Sequence, residues 1–345
     1  MMKTTYRWTA PAHWLKITTL EAHTAGEPLR IVTGGLPEIP GKTILEKRRF
    51  FRENLDHLRT GLLWEPRGHA DMYGAVLTDP VTPDGDFGVI FMHNEGYSTM
   101  CGHGIIALAH AVLDTGMIDK PGEEPVLRID TPSGRVTARA IREKGVVRKA
   151  FFLNVPSFVL ALDRAIPLGE SGRLKVDIAF GGAFYAFFDA DALGLALVPE
   201  NYDRLIHMGR IVKKAVMNHL PIVHPFEPDL GFLYGSIAVG KPANPAHHSR
   251  NVCVFAEGEL DRSPTGTGLS ARAAIHYRRG DLRPDQPITI ESILGTTMEV
   301  RVAEVLKYGE DMAVIPEVSA SASLTGEHTF YFDPRDELKS GFIFR

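Results

Sequence analysis

A sixteen-residue stretch of this chain comes back, altered, 164 positions further on. Cys101 to Gly116 reads CGHGIIALAHAVLDTG, and Thr265 to Gly280 reads TGTGLSARAAIHYRRG. In this register Gly102 falls on Gly266, Gly104 on Gly268, Ala107 on Ala271, Ala109 on Ala273 and Gly116 on Gly280. Upstream, Phe91 falls on Phe255 and Glu95 on Glu259. Downstream, Pro125 opens VLRID, a turn at Ser133-Gly134 and RVTARA; Pro287 opens ITIES, a turn at Gly295 and MEVRVAE. Each copy thus predicts strand, loop, helix, strand, turn, strand. A duplicated chain of this kind folds as two related halves. The length of 345 residues agrees, being too great for one ordinary core.

Local signals support both helices. Ser98 and Thr99 are candidate N-caps for the first, and Ser263 and Thr265 for the second, with Pro264 suited to a helix start. Gly116 and Gly280 are natural stops. The first helix is apolar almost all round from Ile105 to Leu113, so it belongs inside, enclosed by strands. Lys16 to Gly26, His69 to Thr78, Phe87 to Met92, Val147 to Val155, Val176 to Asp189 and His247 to Ala256 read as strands, and Tyr202 to Asn218 as an outer amphipathic helix. The join is expected near Val155-Pro156-Ser157. That gives a first α+β domain over 15–155 with the Cys101 helix, completed by 325–345 folding back, and a second over 156–324 with the Thr265 helix.

A helix N-terminus presents unpaired N–H groups and partial positive charge. It binds carboxylates and eases deprotonation of a cysteine placed there. Gly102, Gly104, Gly266 and Gly268 would let a ligand approach the backbone closely. Two such mouths facing across a cleft would grip one small anion, with reactive groups on its two faces. That geometry suits removal of an α-hydrogen from an amino acid, because amides aimed at the carboxylate stabilise the enediolate that forms. Cys101 is the candidate base.

Here the residues resemble the proline racemase family. MCGHG (Met100 to Gly104), DRSPTGTG (Asp261 to Gly268), EAHTAGEP (Glu21 to Pro28), EPRGHADMYGA (Glu65 to Ala75), NVPSF (Asn154 to Phe158) and VDIAFGG (Val176 to Gly182) carry the resemblance in order. It implies a fold similar to diaminopimelate epimerase: two pseudo-symmetric α+β domains, each a curled, mainly antiparallel sheet around a central helix, with the site between them. Racemases and hydroxyproline 2-epimerases of the family carry cysteine at both mouths. Thr265 departs from that pattern, and the Cys/Thr pair resembles the trans-3-hydroxy-L-proline dehydratase branch.

The resemblance implies loss of water from trans-3-hydroxy-L-proline to an enamine that becomes Δ1-pyrroline-2-carboxylate, with no metal or organic cofactor. It implies Cys101 and Thr265 as the catalytic pair, and Gly102, His103, Gly266 and Thr267 as contacts to the carboxylate. Asp261 is the implied partner of the ring nitrogen. In the repeat Asp261 falls opposite Tyr97, so the acid belongs to one half only. A homodimer is implied as well.

The threonine has a chemical rationale. Its hydroxyl is too weak an acid to deliver a proton to a carbanion, so inversion would suffer. In trans-3-hydroxy-L-proline the α-hydrogen and the 3-hydroxyl share a face, so one group, Cys101, could take the first and protonate the second. Two other readings stay open: a proline racemase or hydroxyproline 2-epimerase, and a non-catalytic imino-acid binding protein.

Other residues read more plainly. Cys253, in the alternation VCVFA, is expected to be a packed strand residue. His103 and His110 lack a third ligand at fitting spacing, so no metal site is read. No GxGxxG unit or P-loop suggests a nucleotide. With net charge −4 nothing attracts nucleic acid or acidic membranes, and no apolar run would span a bilayer. MMKTTYRWTAPAHW reads as a short extension, and two cysteines without a disulfide framework point to a reducing cytoplasm.

Overall fold

The computed structural model describes residues 8–169 and 172–344. Met1 to Arg7 of the expected N-terminal extension, and Arg345 at the end of the expected C-terminal return, lie outside the described residues.

The first half opens with β1 (Leu15–Thr24) and β2 (Glu27–Gly34), then α1 (Ile44–Asn54) and α2 (Asp56–Leu63). It continues through β3 (Tyr73–Thr78), β4 (Phe87–His93), β5 (Gly96–Tyr97) and the central helix α3 (Gly102–Asp114). Then come β6 (Val126–Thr131), β7 (Gly134–Glu143) and β8 (Val146–Leu153). β9 (Ser157–Pro167) closes the first repeat, and the second runs β10 (Arg173–Phe180), β11 (Phe184–Asp189), α4 (Tyr202–His219), β12 (Leu233–Gly240), β13 (Ser249–Phe255) and β14 (Glu259–Leu260). Its central helix is α5 (Gly266–Arg279), followed by β15 (Ile288–Glu291), β16 (Thr297–Tyr308), β17 (Asp311–Ala320) and β18 (Ala322–Phe332).

The two halves repeat each other strand for strand. In each, one parallel pair spans the outer helices (β2 with β3, β11 with β12), and a second spans the central helix (β4 with β6, β13 with β15). The other strand pairings are antiparallel, and the fold is the expected α+β arrangement, its two halves joined through β17 and β8 into one hydrogen-bonded sheet. Every residue of α3 from Gly102 to Leu113 is buried, as its uniform apolarity requires. It packs on β1, β2, β7, β8 and β18, while α5 packs on β9, β10, β16 and β17. Both helices therefore end where their sheets open toward each other.

The halves also exchange strands. β9, which closes the first repeat, pairs with β10 and touches β17; β18, which closes the second, pairs along its whole length with β1. The end of β17 pairs with β8. The C-terminal return is thus earlier than expected, beginning at Ala322, and Phe342 adds a bridge to Glu65.

Two expectations need correction. Val176 to Asp189 is not one strand: Gly181-Gly182 turns the chain between β10 and β11, with Gly182 at φ +97°. Ser98 and Thr99 are not the caps of α3. Cys101 itself occupies that position, its sulfur accepting from the Gly104 N–H at 3.3 Å. The hydroxyls of Ser98 and Thr99 are committed elsewhere, and the thiol takes the cap that a hydroxyl would ordinarily fill. At α5, Thr265 sits in the N-cap position without a side-chain cap bond, and Ser263 Oγ accepts from the Thr265 N–H at 3.1 Å.

Candidate active site

The N-termini of α3 and α5 meet. A Cβ built on Gly102 would lie 2.6 Å from Gly266 Cα, and one built on Gly266 would lie 2.8 Å from Gly102 Cα. Backbone approaches backbone here with no room for any side chain, which is why both positions are glycine. Around this contact lies a small hollow of ≈ 20 Å³, room for about one water. Cys101, Gly102, His103, Asp261, Thr265, Gly266 and Thr267 all line it. All seven residues singled out in the sequence therefore come together. Larger surface hollows, one of ≈ 1130 Å³ beside 32–47 and one of ≈ 540 Å³ beside Arg272, hold neither the thiol nor a helix mouth.

The first wall belongs to the thiol. Cys101 is 4% exposed and lies 3.3 Å from His103 Nδ1. Burial pushes the thiol well above its ordinary range, with the charges of Asp261 and Glu27 adding to the rise; the Gly104 N–H and the Tyr73 hydroxyl pull it down. The expectation of an easily deprotonated helix-mouth cysteine is thus outweighed in this closed hollow by loss of water. Desolvation holds His103 at a pKa of about 3, so its ring is neutral. Thr24 Oγ1 donates to the His103 carbonyl at 2.9 Å and anchors the first turn of α3.

The second wall belongs to Thr265. Its φ of +70° is the left-handed region, unusual for a β-branched residue. Its Oγ1 is buried and makes no hydrogen bond of normal geometry, although it lies near enough to Asp261 and Cys253 to bear on their acidity. Cys253 is fully buried in β13, the packed strand position expected. The Asp261 carboxyl accepts from the Ser263 N–H at 2.7 Å, and burial raises its pKa. Tyr185 and Thr267 join hydroxyl to hydroxyl at 2.7 Å, fixing the first turn of α5.

Cross-bonds hold the two walls in register. Thr99 Oγ1 and Ser133 Oγ donate to the Gly182 carbonyl at 2.6 and 2.7 Å. The counterpart bond runs the other way, from Thr296 Oγ1 to the Ala25 carbonyl at 2.7 Å. His93 Nδ1 and Glu259 Oε1 are 2.9 Å apart, both buried. The Arg262 N–H donates to Glu27 Oε2 at 2.7 Å, while Glu27 Oε1 is buried without a partner. Burial, then the neighbouring Asp261, hold the Glu27 carboxyl well above the usual range.

Sequence reasoning did not single out five residues that also line the hollow: Tyr73, Met100, Tyr185, Tyr234 and Phe255. Tyr73 lies within EPRGHADMYGA and Met100 within MCGHG, so the signal was membership of a motif rather than any chemistry of spacing.

Two helix N-termini and one thiol around a closed hollow are chemically suited to a small carboxylate, for which the ≈ 20 Å³ hollow would have to widen. The chain is 46% identical to a trans-3-hydroxy-L-proline dehydratase of Colwellia psychrerythraea over 96% of this chain and 94% of that one. It is 43% identical to a 3-hydroxyproline 2-epimerase of Burkholderia multivorans over 95% of this chain and 98% of that one. The crystal structure of a hydroxyproline epimerase from Agrobacterium vitis with bound trans-4-OH-L-proline superposes with a TM-score of 0.90 at 29% identity, covering 96% of both chains. The proline racemase family model matches residues 19–343, and this chain belongs to that family.

Proposed function

We propose that this protein is a trans-3-hydroxy-L-proline dehydratase. One observation carries the reading: around a single hollow the two mouths present one thiol, Cys101, and one threonine, Thr265. The first turns of α3 and α5 would hold the carboxylate through backbone N–H groups at Gly102, His103, Gly266 and Thr267, and Asp261 would receive the ring ammonium. Cys101 must first lose its own proton, against the burial that raises its pKa, and the thiolate then takes the α-hydrogen. The Cα–H electron pair becomes the Cα–Cβ double bond, the C3–O bond breaks with its pair on oxygen, and the sulfur returns its proton to that oxygen as water leaves. The enamine then tautomerises to Δ1-pyrroline-2-carboxylate. Amides facing the enediolate oxygens and the exclusion of water supply the stabilisation. Thr265, an alcohol, leaves the second face without a proton donor of useful acidity.

The names of relatives that are 46% and 43% identical support this reading. The division of the chain at Val155-Pro156 is part of the same proposal, supported by the separate strands that pack on α3 and on α5.

The test is to mix purified protein with trans-3-hydroxy-L-proline and detect the cyclic imine. Cys101→Ser should lower kcat by ~10³-fold or more, in the range of a lost general base; near-normal dehydration in that variant would sink the mechanism. A second reading, 3-hydroxyproline 2-epimerase, is favoured by the relative bearing that name. Inversion with solvent deuterium in D2O, without imine, would establish it instead.

A further inference from the structure

Three hydroxyls stand in a row beside the thiol. Tyr73 Oη donates to Ser98 Oγ at 2.6 Å and lies 3.2 Å from Tyr234 Oη. Tyr73 and Ser98 come from the first half and Tyr234 from the second. All three are buried: Tyr73 is 3% exposed, Ser98 0% and Tyr234 6%. Tyr73 lines the hollow with its ring edge-on to the His103 ring at 4.9 Å, and its hydroxyl lies near enough to the Cys101 sulfur to bear on the thiol's acidity. The Tyr185 hydroxyl, on the threonine side, is bonded to Thr267. A ligand without a hydroxyl would need only the apolar wall of Met100 and Phe255 there. The three hydroxyls satisfy one another, yet Tyr73 and Tyr234 line the hollow with oxygen lone pairs to spare, which a polar ligand group can meet.

We infer that Tyr73, backed by Ser98 and Tyr234, binds the substrate's 3-hydroxyl and solvates that oxygen as the C3–O bond breaks. The inference rests on the dehydratase reading and names which substrate feature this wall recognises. In the trans isomer the 3-hydroxyl shares a face with the α-hydrogen, so it points to the wall that carries both the thiol and Tyr73. Tyr73 gives its hydrogen to Ser98, so the hydrogen of Tyr234 points to Tyr73, and lone pairs on the tyrosine oxygens remain to accept the substrate O–H. As the C3–O pair moves onto oxygen, rotation of the Tyr73 O–H turns it from acceptor to donor. The proton that completes water still comes from the Cys101 sulfur; Tyr73 keeps its own, since burial raises the phenol well above its ordinary range.

Tyr73→Phe removes one oxygen and keeps the ring. Two quantities are measured: kcat/KM for dehydration of trans-3-hydroxy-L-proline, and the calorimetric Kd of L-proline, which lacks the hydroxyl. The first should fall by ~10²-fold, the order seen when one donor to a developing oxyanion is lost; the second should stay within about threefold. Unchanged dehydration overturns the inference. So does a parallel loss of proline affinity, which would mean that Tyr73 only shapes the pocket. Thermal unfolding checks that the variant folds, and if it does not, Tyr234→Phe takes its place, with dehydration expected to fall about tenfold and proline Kd to hold. Failure of the dehydratase reading looks different: wild-type protein would then yield no cyclic imine. The ratio of the Kd values for trans-3-hydroxy-L-proline and L-proline, compared between wild type and Tyr73→Phe, would then decide the hydroxyl contact alone.

Discussion

Replacing Gly102 with alanine should damage the site and the fold together. The new methyl would stand 2.6 Å from Gly266 Cα, 2.8 Å from Gly266 C and 3.0 Å from the Thr267 nitrogen. Carbon atoms sit comfortably at about 3.5–4.0 Å, so the two backbones must part by about 1 Å. Neither can yield cheaply, because both belong to helices walled in by strands. Overpacking of this kind costs ~1–3 kcal/mol of stability. The catalytic loss should be larger, since separating the thiol of one mouth from the amides of the other by ~1 Å is worth ~10²-fold in rate. The assay pairs urea unfolding with the rate of imine formation. Gly266→Ala, whose methyl would lie 2.8 Å from Gly102 Cα, should behave alike. The double variant should cost less than the sum, because the second methyl enters a gap that the first has opened. A Gly102→Ala protein within about 0.5 kcal/mol of wild type and within threefold in rate would refute the reasoning, since that is the range of an indifferent surface change.

Two further outcomes are expected. Thr265→Cys puts a second sulfur on the empty face at a position that strains a β-branched residue; proline in D2O should then undergo inversion with deuterium uptake that wild type lacks, and a variant without inversion would show that the threonine is not what withholds the second proton. For Glu27, the folded-state pKa lies above the unfolded value of 4.5, so its contribution to stability is full below pH 4.5 and is lost as pH rises through the raised folded value. Urea unfolding at pH 5 and pH 8 should therefore show a decline in wild type that Glu27→Gln flattens, and equal slopes in the two proteins would contradict this.

The duplicated architecture was legible because it is written in glycines. Gly102 and Gly266 are where backbone meets backbone, and Gly104 and Gly268 are where it meets the packed side chains of Phe91 and Ile237. The first central helix was legible from continuous apolarity, and the second from its register with the first. Less was legible where a residue's partner lies far away in the chain. Ser98 and Thr99 look like caps locally, but their hydroxyls serve Tyr73 and the Gly182 carbonyl. The paired Gly181-Gly182 was a visible turn signal, masked by the apolar residues on both sides. The thiol's acidity was misjudged for a related reason: the helix terminus is local, while the burial that outweighs it comes from the other half closing over it. The roles of Tyr73, Tyr234 and Glu27 depend on contacts across the two halves, which no spacing encodes.

The exchange of β9 and β18 makes each sheet a guest of its neighbour's chain. Cutting the polypeptide at the midpoint and purifying either piece would leave a bowl with a missing stave, its bare edge inviting aggregation. A gene encoding one half could have stood alone only as a pair of identical copies lending each other that strand. In the fused chain the two bowls stay joined by the short crossings at 154–156 and 321, by the pairing of β17 with β8, and by the hydroxyl bonds that cross between them.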